Sequence, residues 1–285
     1  MPQHPVIEPL TEPQQAAATH VGGPLVLLGG AGTGKTSTLV ARFAHLTGEG
    51  GATPEQVLML ASGEAAADEL RARVEDVLGD RAFAELAVHT ASGFAARLLR
   101  EEALEAGIDP TVGVATSADR LALLLTRIDE LPLRVHDLAG RPAATLARLL
   151  ARIDRCKEQL VTAEAFAAWA ADLQDGDARA VREREFAALY TAHDALLRQL
   201  ELLDSGDLIM RAHALLRDRP HVLARTGARY RHVLADDHQD ATPAAHALIT
   251  LLGAASGTLL LAGDDDQAVR RTAGTGARAL REAAG

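Results

Sequence analysis

The chain has 285 residues with 48% hydrophobic and 3% aromatic content, which allows one large or two modest domains with an ample core. Its 29 Lys and Arg against 39 Asp and Glu give a net charge of −10, so it lacks the overall basic charge that is typical of nucleic-acid-binding domains, although a local basic groove is not excluded. The single cysteine, Cys156, excludes an intramolecular disulfide framework.

The N-terminal segment and the lengths of the apolar runs indicate a soluble protein. The first ten residues have no basic-then-apolar signal pattern, and no run approaches the roughly 18 apolar residues that a membrane-spanning helix needs. A single cysteine also suits a reducing compartment. We therefore expect a cytoplasmic protein with no membrane partner.

Residues 10–46 predict a helix, a strand, a glycine-rich loop and a second helix. The sequence LTEPQQ at 10–15 begins a helix, with Thr11 as the N-cap and Pro13 in the first turn. The apolar run at 24–28 has the length of a buried strand, and 37–46 has a helical period. Between them, GGAGTGKT at 29–36 matches the phosphate-binding pattern G-x-x-x-x-G-K-[ST].

This strand, loop and helix together predict a nucleotide-binding site. Glycines let backbone N–H groups turn inward around a phosphate, and the helix N-terminus adds its dipole. Lys35 is expected to reach the β- and γ-phosphates, and the hydroxyl of Thr36 to ligate Mg²⁺. A glycine-rich turn without a ligand is disfavoured, because the motif and both flanks agree.

The remaining elements predict an α/β fold that is interrupted by helices. Strands are expected over 57–60 and 86–88 and helices over 65–78 and 91–106, followed by strands over 232–235 and 258–262. Between 117 and 202 we find only helical periodicity, with helices over 118–128, 143–157, 163–173 and 178–202. This order predicts a parallel sheet flanked by helices, with an inserted all-helical subdomain. Two consecutive domains are the alternative.

Carboxylates follow the last two predicted strands, where a parallel sheet binds its ligands. We assign Asp236 to Mg²⁺ through its water shell and Asp237 to polarising the attacking water. Gln267 follows the next strand and is expected to sense the γ-phosphate. Acidic residues after strands are also common turn formers and helix caps, and that alternative stays open for either cluster on its own.

In order and spacing, these motifs resemble the N-terminal part of superfamily I DNA helicases of the UvrD/Rep/PcrA group. The segment LTEPQ at 10–14 resembles their Q-motif, which implies that Gln14 recognises adenine. Arg42 falls where the family often has an arginine beside the nucleotide. The segment VHT at 88–90 resembles a DNA-contacting motif, which implies DNA contacts by His89 and Thr90. The segment DDHQD at 236–240 resembles the family's DEFQD.

The resemblance implies a RecA-like P-loop NTPase that uses ATP and Mg²⁺ and binds single-stranded or duplex DNA. GDDDQ at 263–267 is similar to motif III, and LDSGDL at 203–208 resembles the segment that re-enters the motor domain. We expect motor-domain segments at 1–110 and 203–285 and an inserted subdomain at 111–202. The predicted nucleotide-binding residues are Gln14, Gly29, Gly30, Ala31, Gly32, Thr33, Gly34, Lys35, Thr36, Ser37 and Arg42.

Several positions depart from the family pattern. Asp237 stands where the family has glutamate, so its carboxylate is one methylene closer to the backbone. Because a misplacement of a catalytic group by about 1 Å can cost on the order of 100-fold in rate, we expect slow hydrolysis. Ser62 and Ala65 replace a phenylalanine and a lysine, and the segment 268–275 lacks the family's aromatics. We therefore expect weak binding of single-stranded DNA.

Our prediction is an ATPase, the ATP-binding domain of a UvrD-like DNA helicase. Such a domain couples ATP hydrolysis to translocation on single-stranded DNA, or to unwinding, when a second motor domain completes it. Because 1–285 ends just after the motif III segment, we expect either that the chain is a truncated part of such a helicase or that a partner chain supplies that domain. A degenerate nucleotide-binding interaction or regulatory subunit is the alternative, and a small-molecule kinase is disfavoured. Among the histidines, we expect His238 and His246 to face solvent or to cap helices.

Overall fold

The computed structural model describes residues 10–81, 83–136, 138, 140–174 and 176–264. The chain forms two compact units, a first unit of residues 1–98 and 212–285 and a second unit of residues 99–211.

The helices and strands alternate along the first third of the chain and again near residue 230. The helices are α1 Glu12–Ala18, α2 Lys35–Gly48, α3 Glu64–Leu78, α4 Ala91–Glu101, α5 Ala103–Ala106, α6 Ser117–Thr126, α7 Pro142–Glu158, α8 Ala163–Ala171, α9 Ala178–Gln199, α10 Ser205–Asp218, α11 Pro220–Arg229 and α12 Pro243–Ser256. The strands are β1 Leu25–Leu28, β2 Val57–Ala61, β3 Ala87–Thr90, β4 Gly113–Val114, β5 Leu202–Leu203, β6 His232–Ala235 and β7 Leu259–Gly263. Short 3₁₀ helices lie at Pro54–Gln56, Ile128–Glu130 and His238–Asp240.

The first unit contains a five-stranded parallel sheet in the order β1-β7-β6-β2-β3. In its register Leu28 pairs with Gly263 and Leu60 with Ala235, so the carboxyl ends of the strands lie along one edge. The predicted α/β fold with a parallel sheet flanked by helices is confirmed. This topology brings the loop after β1 and the segment after β6 to the same edge of the sheet.

The core of the first unit lies between the sheet and its helices. Every residue of β2 and β7 is buried, as expected for central strands of a parallel sheet that is covered on both faces. Helix α2 buries Leu39, Val40 and Phe43, whose spacing places them on one face, and α3 adds Leu70 and Val74. The loop after β1 therefore leads directly into a helix that is packed in the core of this unit.

The second unit is built mainly from helices. Its core contains Leu146, Ile153, Phe186 and Tyr190, all fully buried.

Three details of the secondary structure differ from the sequence-based expectations. The short strands β4 and β5 pair in parallel and were not predicted. The single helix expected over 91–106 is two helices, α4 and α5. Helices α10 and α11 were also not predicted.

A buried lysine connects three helices of the second unit with the segment after β5. Lys157 is 1% exposed, and its Nζ lies 3.0 Å from a carboxylate oxygen of Asp194, 2.8 Å from Asp204 and 2.7 Å from Asp207. The neighbouring carboxylates raise the pKa of Lys157 despite the opposing effect of burial. Lys157 therefore stays charged inside the unit.

None of the helices within the described ranges is long and apolar enough to span a membrane.

Candidate nucleotide-binding site

The glycine-rich loop, residues 29–36, turns sharply between β1 and α2. Gly32 and Gly34 have φ of +71° and +82°, a left-handed conformation that favours glycine. Helix α2 begins at Lys35, and among the described residues no side chain caps its N-terminus. The first N–H groups of α2 are therefore available to an anion at the loop.

The side chain of Lys35 lies along the loop. Its Nζ donates to the carbonyl oxygens of Gly29 at 2.8 Å and Gly30 at 3.0 Å. The hydroxyl of Thr33 also donates to the carbonyl of Gly30, at 2.8 Å. The ammonium group is thus held inside the loop, at the place where a bound phosphate would gain most from a positive charge. Ala31 and Gly32 form the exposed tip of the loop.

Asp236 contacts the loop from the neighbouring part of the sheet edge. It follows β6, and its Oδ2 accepts a hydrogen bond from the Thr36 hydroxyl at 2.7 Å. Burial raises the pKa of the Asp236 carboxyl, and the hydrogen bond from Thr36 opposes that rise. The structure therefore juxtaposes a hydroxyl and a carboxylate, two oxygen groups that suit a divalent hard cation.

Asp237 has a left-handed backbone, with φ of +46°, which is uncommon for a residue other than glycine. The residues around it are each bound to another element. Asp236 contacts Thr36 on α2, the His238 ring is hydrogen bonded to His246 on α12, and the Oε1 of Gln239 accepts from the backbone N–H of Asp264 at 3.0 Å. These three contacts hold the turn that presents the half-buried Asp237.

The expectation that His238 faces solvent or caps a helix is wrong, because only 2% of His238 is exposed. It occupies the position of the family's phenylalanine in DEFQD, and its neighbour His246 supplies a hydrogen-bond partner that an aromatic hydrocarbon does not need. Spacing along the chain does not reveal this pair.

Gln14 links α1 to the glycine-rich loop. Its Nε2 donates to the carbonyl of Thr33 at 2.8 Å, while its Oε1 accepts from the backbone N–H of Thr11 at 2.8 Å. A Cβ atom on Gly34 would lie 2.7 Å from the Gln14 amide nitrogen, so only glycine allows this close approach. The predicted adenine-recognition residue therefore lies at the loop.

Arg42 is buried and is bound to the end of α1. Its Nη1 donates to the carbonyls of Ala17 at 3.3 Å, Ala18 at 3.3 Å and His20 at 2.9 Å. Burial lowers the pKa of its guanidinium. The contacts of Arg42 support helix α1, which carries Gln14, and its predicted contact with the nucleotide stays a prediction.

The two predicted DNA-contacting residues differ in their surroundings. Thr90 is 7% exposed, and its hydroxyl donates to Glu64 at 2.9 Å and accepts from the backbone N–H of Gly93 at 3.0 Å. His89 is half-buried, and its Nε2 has no hydrogen-bond partner among the described residues. Burial lowers the pKa of His89, so its ring is neutral near pH 7.

Two further features of the site were not predicted. Gln239 connects the segment after β6 to the end of β7, and Arg73 on α3 contacts Ser37 in the first turn of α2, with its Nη2 donating to the hydroxyl at 2.7 Å. Gln267 lies outside the described residues, as does the segment 268–275. The structure thus gathers Lys35, Thr36, Asp236 and Asp237 at one edge of the sheet.

Comparison with known proteins gives matches over nearly the whole chain. The ATP-dependent DNA helicase UvrD1 of Mycobacterium tuberculosis is 30% identical over 276 residues, which cover 94% of this chain and 34% of that protein. The ATP-dependent DNA helicase PcrA of Leuconostoc citreum is 29% identical over 90% of this chain and 32% of its own length. The ATP-dependent DNA helicase Rep of Escherichia coli is 29% identical over 90% and 36%.

This chain therefore spans about a third of the length of the curated relatives that it matches. The model of the UvrD/REP helicase N-terminal domain family matches residues 10–274. That match covers nearly all of the chain and agrees with the parallel sheet and the order of the motifs. The chain belongs to the UvrD/REP helicase N-terminal domain family.

Proposed function

We propose that this chain binds ATP with Mg²⁺ and hydrolyses it, as the ATP-binding part of a UvrD-like DNA helicase. The hydrogen bond between Thr36 and Asp236 carries the proposal, because it joins the phosphate-binding loop to a carboxylate from a distant part of the chain. Lys35 lies in the same loop. The relatives named above are ATP-dependent DNA helicases, which supports the same activity.

The residues at the loop fit a nucleotide and its metal. Mg²⁺ is usually held by one or two carboxylates together with phosphate oxygens and water, and here Thr36 and Asp236 supply the protein oxygens. Within the described ranges, no group of three or more His, Cys, Asp or Glu residues is arranged to hold a metal ion. We therefore propose that the ion binds together with the nucleotide. When bound, it neutralises charge on the phosphates.

The protein's own residues then divide the work of binding and hydrolysis. Lys35 exchanges its carbonyl contacts in the loop for phosphate oxygens, with little change in position. Asp237 accepts a proton from the attacking water or orients that water, and Gln267 senses the γ-phosphate. Gln14 reads the adenine edge from its place beside Thr33. Arg42 holds the end of α1 and contributes to nucleotide binding through that helix.

Translocation on single-stranded DNA, or unwinding, requires a second motor domain, which we propose is supplied by a longer polypeptide or by a partner chain. Residues 1–110 and 203–285 are the proposed motor segments, and 111–202 the inserted subdomain. The division of the chain into two compact units supports this arrangement. His89 is the proposed DNA contact, as a neutral hydrogen-bonding group, and Thr90 supports it by fixing the start of α4.

ATP turnover by the purified chain, with and without single-stranded DNA, tests this function, and Lys35→Ala serves as the blank. We expect Mg²⁺-dependent ATP binding that the variant loses, and slow turnover that DNA increases. ATP binding of equal strength by the wild type and Lys35→Ala would refute the proposal.

A degenerate nucleotide-binding subunit without helicase activity is the second candidate, and the replacement of the family's glutamate by Asp237 favours it. That candidate predicts ATP binding without turnover even when a second motor domain from a relative is fused to the chain. DNA-stimulated turnover would exclude it.

A further inference from the structure

Arg73 brings a positive charge to the first turn of α2 from a separate helix. It lies in the third turn of α3, and its Nη2 donates to the hydroxyl of Ser37 over 2.7 Å. Ser37 directly follows Lys35 and Thr36, the two residues of the loop motif that serve phosphate and metal. The Arg73 side chain is half-buried, so the guanidinium is held at this place rather than extended into solvent.

The surroundings of Arg73 differ from those of Arg71, on the same helix, and of Arg42, on α2. The guanidinium of Arg71 donates to the carbonyls of Leu86 and Val88 and so ties α3 to β3. The guanidinium of Arg42 is bound to carbonyls at the end of α1. In contrast, the only hydrogen-bond partner of Arg73 in the described part of the chain is the Ser37 hydroxyl, and Arg73 forms no ion pair with a described carboxylate.

A guanidinium with several unused N–H donors suits an anionic ligand. Its planar fork matches two oxygens of a phosphate group, and such charge-assisted hydrogen bonds are stronger than neutral ones. A hydroxyl is a weaker partner for a cation than a phosphate oxygen. We therefore expect Arg73 to exchange Ser37 for a phosphate when a nucleotide is present.

The position of Arg73 complements that of Gln14. Gln14, on α1, contacts Thr33, two residues before Lys35, whereas Arg73, on α3, contacts Ser37, two residues after Lys35. Along the chain, Lys35 and Thr36 are therefore flanked by a contact with an amide, which can recognise a base, and a contact with a cation, which recognises charge alone.

We propose that Arg73 is a nucleotide-binding residue that contacts the phosphate chain. This inference rests on the proposed nucleotide site and adds to it a contact that the loop motif does not contain. Because Arg73 contacts phosphate and not the base, its contribution is the same for ATP and for GTP, and it extends to inorganic tripolyphosphate.

Equilibrium binding of ATP, GTP and tripolyphosphate in the presence of Mg²⁺ tests the proposal with the whole chain. We expect Arg73→Gln to weaken all three by about tenfold or more, since one charge-assisted contact is lost. Arg73→Lys should recover part of the loss. The difference in affinity between the wild type and Arg73→Gln should become smaller at high salt, because salt screens the interaction between charges that the variant has lost.

Two controls separate this role from others. Arg81→Gln removes an exposed arginine just beyond α3, and it should leave all three affinities within twofold of wild type. The melting temperature of each variant shows whether the fold is retained. Unchanged affinities in a folded Arg73→Gln protein, or an equal loss in Arg81→Gln, would overturn the inference. Failure of wild type to bind ATP any better than Lys35→Ala would instead overturn the proposed function.

Discussion

The imidazole rings of His238 and His246 form a hydrogen bond of 2.8 Å beneath the turn that carries Asp237. Burial, together with the charge of His246, lowers the pKa of His238 to about 3. In an unfolded chain, histidine has a pKa near 6.5. Between these two values the unfolded state binds a proton that the folded state does not, so acidification below pH 6.5 favours unfolding.

Replacing His238 should therefore change how the stability of the first unit depends on pH. In the wild type we expect this residue to lower the free energy of unfolding by up to about 1.4 kcal/mol per pH unit below pH 6.5. His238→Phe should lack that contribution. Hydrogen exchange of buried β2 and β6 amides at pH 6.5 and 5.0 measures how the free energy of unfolding changes with pH. His20→Gln is the control, because it also removes one histidine. Equal acid sensitivity of wild type and His238→Phe would contradict the assignment.

Lengthening the side chain at position 237 should increase turnover. Asp237→Glu restores the distance between carboxylate and backbone that the family motif has. Because a misplacement of about 1 Å can cost on the order of 100-fold in rate, we expect the turnover rate to rise by about ten- to a hundredfold. ATP affinity should stay nearly constant, because the loop is untouched. Steady-state turnover with Asp237→Asn as the inactive control measures the effect. A rate for Asp237→Glu at or below that of the wild type would mean that the left-handed turn is shaped for aspartate.

The carboxylate of Asp236 should control the response to Mg²⁺. Asp236→Asn keeps an acceptor for the Thr36 hydroxyl but removes the charge, so we expect it to lose most of the gain in ATP affinity that Mg²⁺ provides, about tenfold. Titrations of ATP with and without Mg²⁺ measure that gain. Because burial raises the pKa of Asp236 and a metal binds the deprotonated form, the gain should also shrink as the pH is lowered. An unchanged gain in Asp236→Asn would exclude Asp236 from the metal site.

Removing the buried charge of Lys157 should destabilise the second unit. Lys157→Met leaves Asp194, Asp204 and Asp207 without their shared cation, and breaking a buried ion pair in this way typically costs about 3–5 kcal/mol. Trp169, the only tryptophan, lies in this unit and reports its unfolding by fluorescence. Arg155→Met removes an exposed charge from the same helix and should change the free energy by less than about 0.5 kcal/mol. Similar costs for the two variants would argue against a structural role for the buried network.

The sequence predicts those parts of the fold that have long, regular patterns. The strands at 57–61 and 232–235 and the helices at 64–78 and 142–158 are apolar or periodic over enough residues to be recognised. The two-residue strands β4 and β5 are too short to show any period, and their pairing depends on chain segments that lie far apart in the sequence. Such contacts follow from tertiary packing and not from local preference.

The residues of the candidate site can likewise be predicted from the sequence only where they belong to a local motif. The glycine-rich loop is such a motif, so its residues can be named from spacing alone. The surroundings of Arg42 cannot, because its partners are backbone carbonyls at the end of α1, and a carbonyl carries no signature of residue type. The contact between Arg73 and Ser37 is also invisible in the sequence, because it depends on how α2 and α3 pack against each other.

The order of the strands has a consequence for how the protein is made. Within the described residues β1 pairs only with β7, and Thr36 contacts Asp236, which lies 200 positions later in the sequence. At about 5–20 residues per second, a ribosome needs on the order of ten to forty seconds to synthesise that stretch. Residues 99–211 are continuous, so the second unit can fold while the glycine-rich loop and its strand still wait for their partners. The nascent chain therefore exposes β1 for longer than any other strand of the sheet, and chaperones or aggregation would act there first.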